Sequence, residues 1–195
     1  GTAYPKWTGK CENCGEWNTL VEEIVQGGSS VVAKSKTSGH VLKAQTIASI
    51  TDEKRMQRLK TGIADVDTVL GGGILPGGVL LLAGQPGIGK STLLLQIAAH
   101  IAKTSDVLYA SGEESAHQVK LRAMRLGAHT EDSLSFVAST SADDIAATIR
   151  SGSHNLVIVD SIQTLSLDEI SSAPGTVSQI TNSSNVIIRA AKEAG

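Results

Sequence analysis

The octapeptide Gly84-Gln85-Pro86-Gly87-Ile88-Gly89-Lys90-Ser91 constrains the fold more than any other stretch of the chain. Glycines at 84, 87 and 89 let the backbone adopt positive φ, so successive N–H groups can turn toward one point. An apolar β-type run, Val79-Leu80-Leu81-Leu82-Ala83, leads in. From Ser91 to Lys103 the residues Leu94, Ile97, Ala98 and Ile101 recur at helical spacing. A strand, a glycine-rich turn and a helix in that order place the helix's unpaired N–H groups and positive dipole end at the turn, which is a seat for an anion. The letters fit G-x-x-x-x-G-K-[ST], a loop that cradles the phosphates of a nucleoside triphosphate. In such a loop Lys90 reaches the β- and γ-phosphates and Ser91 ligates magnesium, with Thr92 following at the helix start. The plain alternative, a strand-to-helix turn that binds nothing, must account for strand, loop, lysine, hydroxyl and helix all in place.

Downstream the chain alternates. Val107-Leu108-Tyr109-Ala110 reads as a strand, Ser115 to Leu126 as a helix stopped by Gly127, and Leu134-Ser135-Phe136-Val137 as the next strand. Ser141 to Asp144 caps a helix bearing Ile145 and Ile149, and Leu156-Val157-Ile158-Val159 is an apolar strand ending in Asp160. Val177, Ile180, Ile187 and Ala191 recur at roughly helical spacing in the last segment. Apolar strands alternating with helices predict a parallel sheet covered on both faces. A final helix ending in Gly195 would ordinarily feed another strand, so the sheet is expected to be incomplete.

Two carboxylates complete the reading. Asp160, at the carboxyl end of a buried strand, would hold the magnesium water shell opposite Ser91. Alone it is as readily a turn or helix cap; behind a phosphate loop it carries weight. Glu113 and Glu114 follow the strand that begins at Val107, where a carboxylate could sit one water from a γ-phosphate. They could equally be acids favoured by the helix dipole before Ser115. Spacing does not separate the two readings.

The region before the core has a different character. Residues 1–24 hold two tryptophans around Cys11-Glu12-Asn13-Cys14-Gly15, a knuckle whose thiolates would occupy two corners of a zinc tetrahedron. The chain offers no second pair, so a half zinc site is expected, its other cysteines lying before Gly1; two free thiols is the alternative. A redox role fits less well, because no strand-then-helix context surrounds the pair. Residues 25–50, with Gly27-Gly28-Ser29-Ser30 and alternating Lys and Ser, read as a flexible linker, and 51–195 as the core. Lys54, Arg55, Arg58 and Lys60 read as a solvated helix face first and a nucleic-acid patch second. A formal net charge of −2 makes no global case for nucleic acid. Apolar runs of about five residues fall far below the roughly 20 of a membrane helix, and two close cysteines point to a reducing compartment, so a cytoplasmic location without membrane is expected.

Three features together resemble one family: the Trp-rich knuckle, Thr61-Gly62 with Leu70-Gly71-Gly72-Gly73, and the phosphate loop with Ser111-Gly112-Glu113-Glu114-Ser115. They are similar to a family of bacterial DNA-repair ATPases of RecA-like type, related to the hexameric DnaB-like helicases and to KaiC. The resemblance implies a RecA-like P-loop NTPase core, incomplete at its C-terminus, preceded by a partial zinc finger that a Cys-x-x-Cys before Gly1 would complete. It implies ATP and Mg2+ as cofactors and Zn2+ in the intact protein. By resemblance Glu113 takes the catalytic position over Glu114, and Lys90, Ser91 and Asp160 match the phosphate and magnesium positions. Gln163 lies near the nucleotide or the DNA loop, and residues 165–177 face single-stranded DNA inside a homo-hexameric ring. The implied activity is a DNA-stimulated ATPase motor in recombinational repair, weak in this chain alone, with the recombinase RecA as a partner. A KaiC-like ring that switches protein partners without DNA is the rival reading. An ATP-dependent peptidase finds no nucleophile constellation here. Asp168 and Glu169 in the implied DNA loop depart from a basic cluster.

Overall fold

Short apolar strands alternating with amphipathic segments build a small parallel sheet between two helical layers. The computed structural model describes Gly15, Trp17 and residues 43–49, 57–128 and 130–195. Two compact units divide the chain, Gly1–Thr51 and Asp52–Gly195. In the first, the described residues include a 3-10 turn at Ile47–Ser49, closed by Ser49 Oγ donating to the Thr46 carbonyl at 2.7 Å. Cys11, Cys14 and residues 25–42 of the expected linker lie outside the described residues.

The second unit runs α1 (Ala64–Val69), α2 (Lys90–Ala102), β1 (Val107–Ser111), α3 (Ala116–Arg125), β2 (Leu134–Ala138), α4 (Ala142–Arg150), β3 (Leu156–Asp160) and α5 (Val177–Ala194). The sheet order is β2-β1-β3, all parallel, with Ser111 opposite Ala138 on one side and Asp160 on the other. Side chains alternate across it. Tyr109, Ile158 and Phe136 pack in one cluster with Leu95, Ala98 and Ile101 of α2 and Val119 and Ala123 of α3. Ala110, Val157 and Val159 pack in the other with Ala142 and Ile145 of α4 and Val186 and Ile187 of α5. The central strand β1 is buried along its whole length, whereas β2 exposes alternate residues, as an edge strand does.

Local chemistry sets the ends. Ser115 caps α3 in a reciprocal pair with Gln118, and Gly127, at φ 68°, closes it with N–H groups returned to Met124 and, from Ala128, to Ala123. Ser141 and Thr176 each accept from the N–H three residues on.

Two expectations need correction. Val79–Ala83 is not a strand: it makes no ladder, and Leu81 is 82% exposed. A strand exists only through a neighbour that takes its N–H and C=O groups, and β-type composition cannot supply one. The basic run is not a helix face where it is described. Leu59 pairs antiparallel with Ile74, and Arg58 donates to the carbonyls of Leu70 and Gly73 at 3.1 and 3.0 Å, so it braces the glycine turn. Lys54 and Arg55 lie outside the described residues. Among the described residues no helix is long and apolar enough to cross a membrane.

Candidate nucleotide site

The glycine-rich turn opens α2 from the residue before it. Gly87 and Gly89 take φ values of 78° and 100°, and Gly89 is the left-handed N-cap. Gly84 does not adopt positive φ; its need is space, since a Cβ there would stand 3.3 Å from Ile88 Cγ2. Ile88 N–H donates to the Gln85 carbonyl at 3.4 Å. The N–H groups of Gly87, Gly89, Lys90, Ser91 and Thr92 have no hydrogen-bond partner among the described residues. Lys90 folds back across the turn, its Nζ donating to the carbonyls of Gly84 and Gln85 at 2.9 and 3.0 Å. A cation and five open N–H groups at one helix start make an anion seat.

The carboxylates sit at the tips of β1 and β3. Gly112 N–H donates to the Asp160 carbonyl at 3.2 Å, which carries the ladder one residue past the paired Ser111 and Asp160. Asp160 shares the sheet face of Ile158 and Tyr109, the face covered by α2. Its Oδ2 accepts from the Tyr109 hydroxyl at 2.6 Å. Burial first, and then that hydrogen bond, push the Tyr109 phenol far above the usual tyrosine range.

Glu113 and Glu114 are adjacent in sequence and differ in partner. Ser111, buried in β1, accepts from both of their N–H groups and so fixes the turn. Glu114 is paired with Arg122 of α3, both side chains about a quarter exposed or less. Glu113 instead accepts from Ser161 Oγ and faces the β3 tip. Gly112 allows this approach: a Cβ there would collide with the Thr164 hydroxyl. Gln163 is exposed in the 3-10 turn Ile162–Thr164. Thus Glu113 and Asp160 stand at the ends of the neighbouring strands β1 and β3, while neither Lys90 nor Ser91 bonds to either of them.

Thr61 and Gly62 have a structural role. Buried Thr61 gives its N–H and its hydroxyl to Asp67 Oδ1, both at 2.9 Å, and Gly62, at φ 77°, lies against the ring of His100 in α2. Sequence reasoning passed over Tyr109, Ser161 and Gln179. The last is wholly buried in α5, where it accepts from Leu167 N–H at 3.0 Å and donates to the carbonyls of Leu167, Ile170 and Ser172. It thereby organises much of the stretch 165–176.

For magnesium the donor set fits: a free hydroxyl at Ser91 and a carboxylate oxygen, Asp160 Oδ1, without a hydrogen-bond partner among the described residues, are hard oxygen donors. The zinc half site lies outside the described residues, which contain no cluster of three or more metal-ligating side chains.

A doubly covered parallel sheet, a glycine-rich turn opening a helix and carboxylates at the strand tips define an α/β nucleotide-binding core of the phosphate-loop type. The chain belongs to the AAA domain family, whose model matches residues 46–190. A second model, described as a rubredoxin metal binding domain, matches residues 1–22. The chain is similar to the DNA repair protein RadA of Pseudomonas aeruginosa, at 42% identity over 195 residues, covering 100% of this chain and 43% of that protein. It is also similar to RadA of Bacillus subtilis, 43% identical over 198 residues, and of Escherichia coli, 38% identical over 200, each covering 100% of this chain and 43% of the relative. The chain therefore spans less than half the length of these relatives. A solved structure described as the RadB recombinase aligns at TM-score 0.48 with 24% identity, covering 70% of this chain and 66% of that one.

Proposed function

We propose that this chain carries the ATP-hydrolysing core of a DNA repair motor that moves on single-stranded DNA during recombination, extending strand invasion or branch migration. The observation that carries the reading is the set of open N–H groups at Gly87, Gly89, Lys90, Ser91 and Thr92, with the Lys90 ammonium folded over the same turn. The N–H groups of the loop take the phosphate oxygens, and Lys90 leaves the Gly84 and Gln85 carbonyls for the β- and γ-phosphates. Magnesium, when bound through Ser91 and the Asp160 side, neutralises charge on the phosphates. Glu113, free of the ion pair that occupies Glu114, orients or deprotonates the attacking water. A neighbouring subunit of a homo-hexamer supplies a further cation, and residues 165–177 face the DNA. Cys11 and Cys14 hold half of a zinc site in the intact protein, and a RecA-type recombinase is the expected partner. The relatives named as DNA repair proteins and the metal-binding match over residues 1–22 support this reading over a KaiC-like partner switch.

The test is ATP turnover by the intact protein across a titration of single-stranded DNA. Turnover should rise with DNA in the wild type and vanish in Lys90→Ala. A flat rate across the titration refutes the motor, and DNA-independent, nucleotide-gated capture of a protein partner would favour the switch.

A further inference from the structure

Tyr109 has a position that packing alone does not explain. It lies in the fully buried strand β1, directly opposite Ile158, with Asp160 diagonally across on the same face. Its ring is 1% exposed, and its hydroxyl ends 2.6 Å from Asp160 Oδ2. A phenol donating to a carboxylate makes a strong, charge-assisted hydrogen bond, and it ties down one of the two carboxylate oxygens. Oδ1 is left without a hydrogen-bond partner among the described residues, on the face that α2 covers.

We propose that Tyr109 is the positioning residue for Asp160: its hydroxyl fixes the carboxylate so that one oxygen alone is turned toward the divalent cation that accompanies the nucleotide. The inference rests on the nucleotide-site reading above and goes beyond it by assigning a residue that no phosphate-loop motif contains. Tyr109 does not touch the cation or the nucleotide. It restricts the rotation of Asp160 about its side-chain bonds, so the geometry is preset and less ordering accompanies cation binding.

Tyr109→Phe removes the hydroxyl and keeps the ring that packs on α2. Mn2+ binding, followed by electron paramagnetic resonance in the presence of ADP, should weaken about tenfold in the variant, with metal-free ADP binding unchanged. Equal Mn2+ affinity in the two proteins overturns the inference and leaves the nucleotide site standing. Failure of the wild type to bind either ADP or Mn2+ overturns both. A second measurement needs no variant. The chain has two tyrosines, Tyr4 and Tyr109, so 13C labelling at the phenol carbon gives two signals. The Tyr109 signal should move when Mg2+ is added to the ADP-bound protein, and a signal that stays fixed at saturation contradicts the assignment.

Discussion

Ser161 Oγ donates a 2.6 Å hydrogen bond to Glu113 Oε1, joining the residue after β3 to the turn after β1. The neighbouring Glu114 is turned to Arg122 instead. Two adjacent carboxylates are thereby separated by their partners: one faces the tip of β3, the other is used to hold α3.

That separation predicts opposite phenotypes. Glu113→Gln in the intact protein should lower ATP turnover by about 10²–10⁴-fold with nucleotide binding kept. Glu114→Gln should leave turnover within a few-fold and cost about 1–3 kcal/mol of stability, because the largely buried Arg122 loses its ionic partner. Turnover assays and denaturant melts of the two variants check both. If Glu114→Gln is the one that silences turnover, the roles are reversed.

Gln179 predicts a second effect. Its amide satisfies four main-chain groups of the segment after β3: the N–H and carbonyl of Leu167 and the carbonyls of Ile170 and Ser172. Gln179→Leu should cost about 2–3 kcal/mol, since buried main-chain groups lose their partners. Gln179→Glu should be no better, because a carboxylate has no hydrogen to donate to the three carbonyls that share the two hydrogens of the amide NH2. Hydrogen exchange at the Leu167 amide should quicken sharply in both. Native protection there in Gln179→Leu would show that the segment is held by other contacts.

The pH dependence of stability has a worked sign at each end. The Tyr109 pKa is raised by burial and by its bond to Asp160. Above about pH 10 the unfolded chain loses this proton first while the folded protein keeps it, so stability falls as pH rises and is fully present below that pH. Asp67 is the reverse. The main-chain N–H of Thr61, chiefly, lowers its pKa, so its contribution is present above about pH 4 and is lost as pH falls. Denaturant melts from pH 3 to 11 should show both slopes, the alkaline one flattened in Tyr109→Phe and the acid one in Asp67→Asn.

What the sequence made legible follows from where each signal is stored. The turn at 84–91, the Ser115 and Ser141 caps, the Gly127 stop and the strands at 107, 134 and 156 are written in consecutive residues, and each could be read locally. Val79–Ala83 could not, because a strand depends on a neighbour many residues away. Arg58 read as a solvated charge because nothing local shows that its guanidinium reaches two carbonyls of a glycine turn. Glu113 and Glu114 were inseparable by spacing because Ser161 and Arg122, which distinguish them, come from other elements. Gln179 resembles any polar residue of an amphipathic helix until the chain before it is folded over it. Tyr109 read as one more apolar strand residue, since its hydroxyl acquires meaning only when Asp160 is placed diagonally across the ladder.

The central claim is that main-chain N–H groups at the start of α2 bind polyphosphate. Amide NMR during an Mg·ADP titration tests it most directly. The account predicts large downfield shifts at Gly87, Gly89, Lys90 and Ser91 that saturate together and disappear in Lys90→Ala. Saturable nucleotide binding that leaves those four amides unmoved would contradict it.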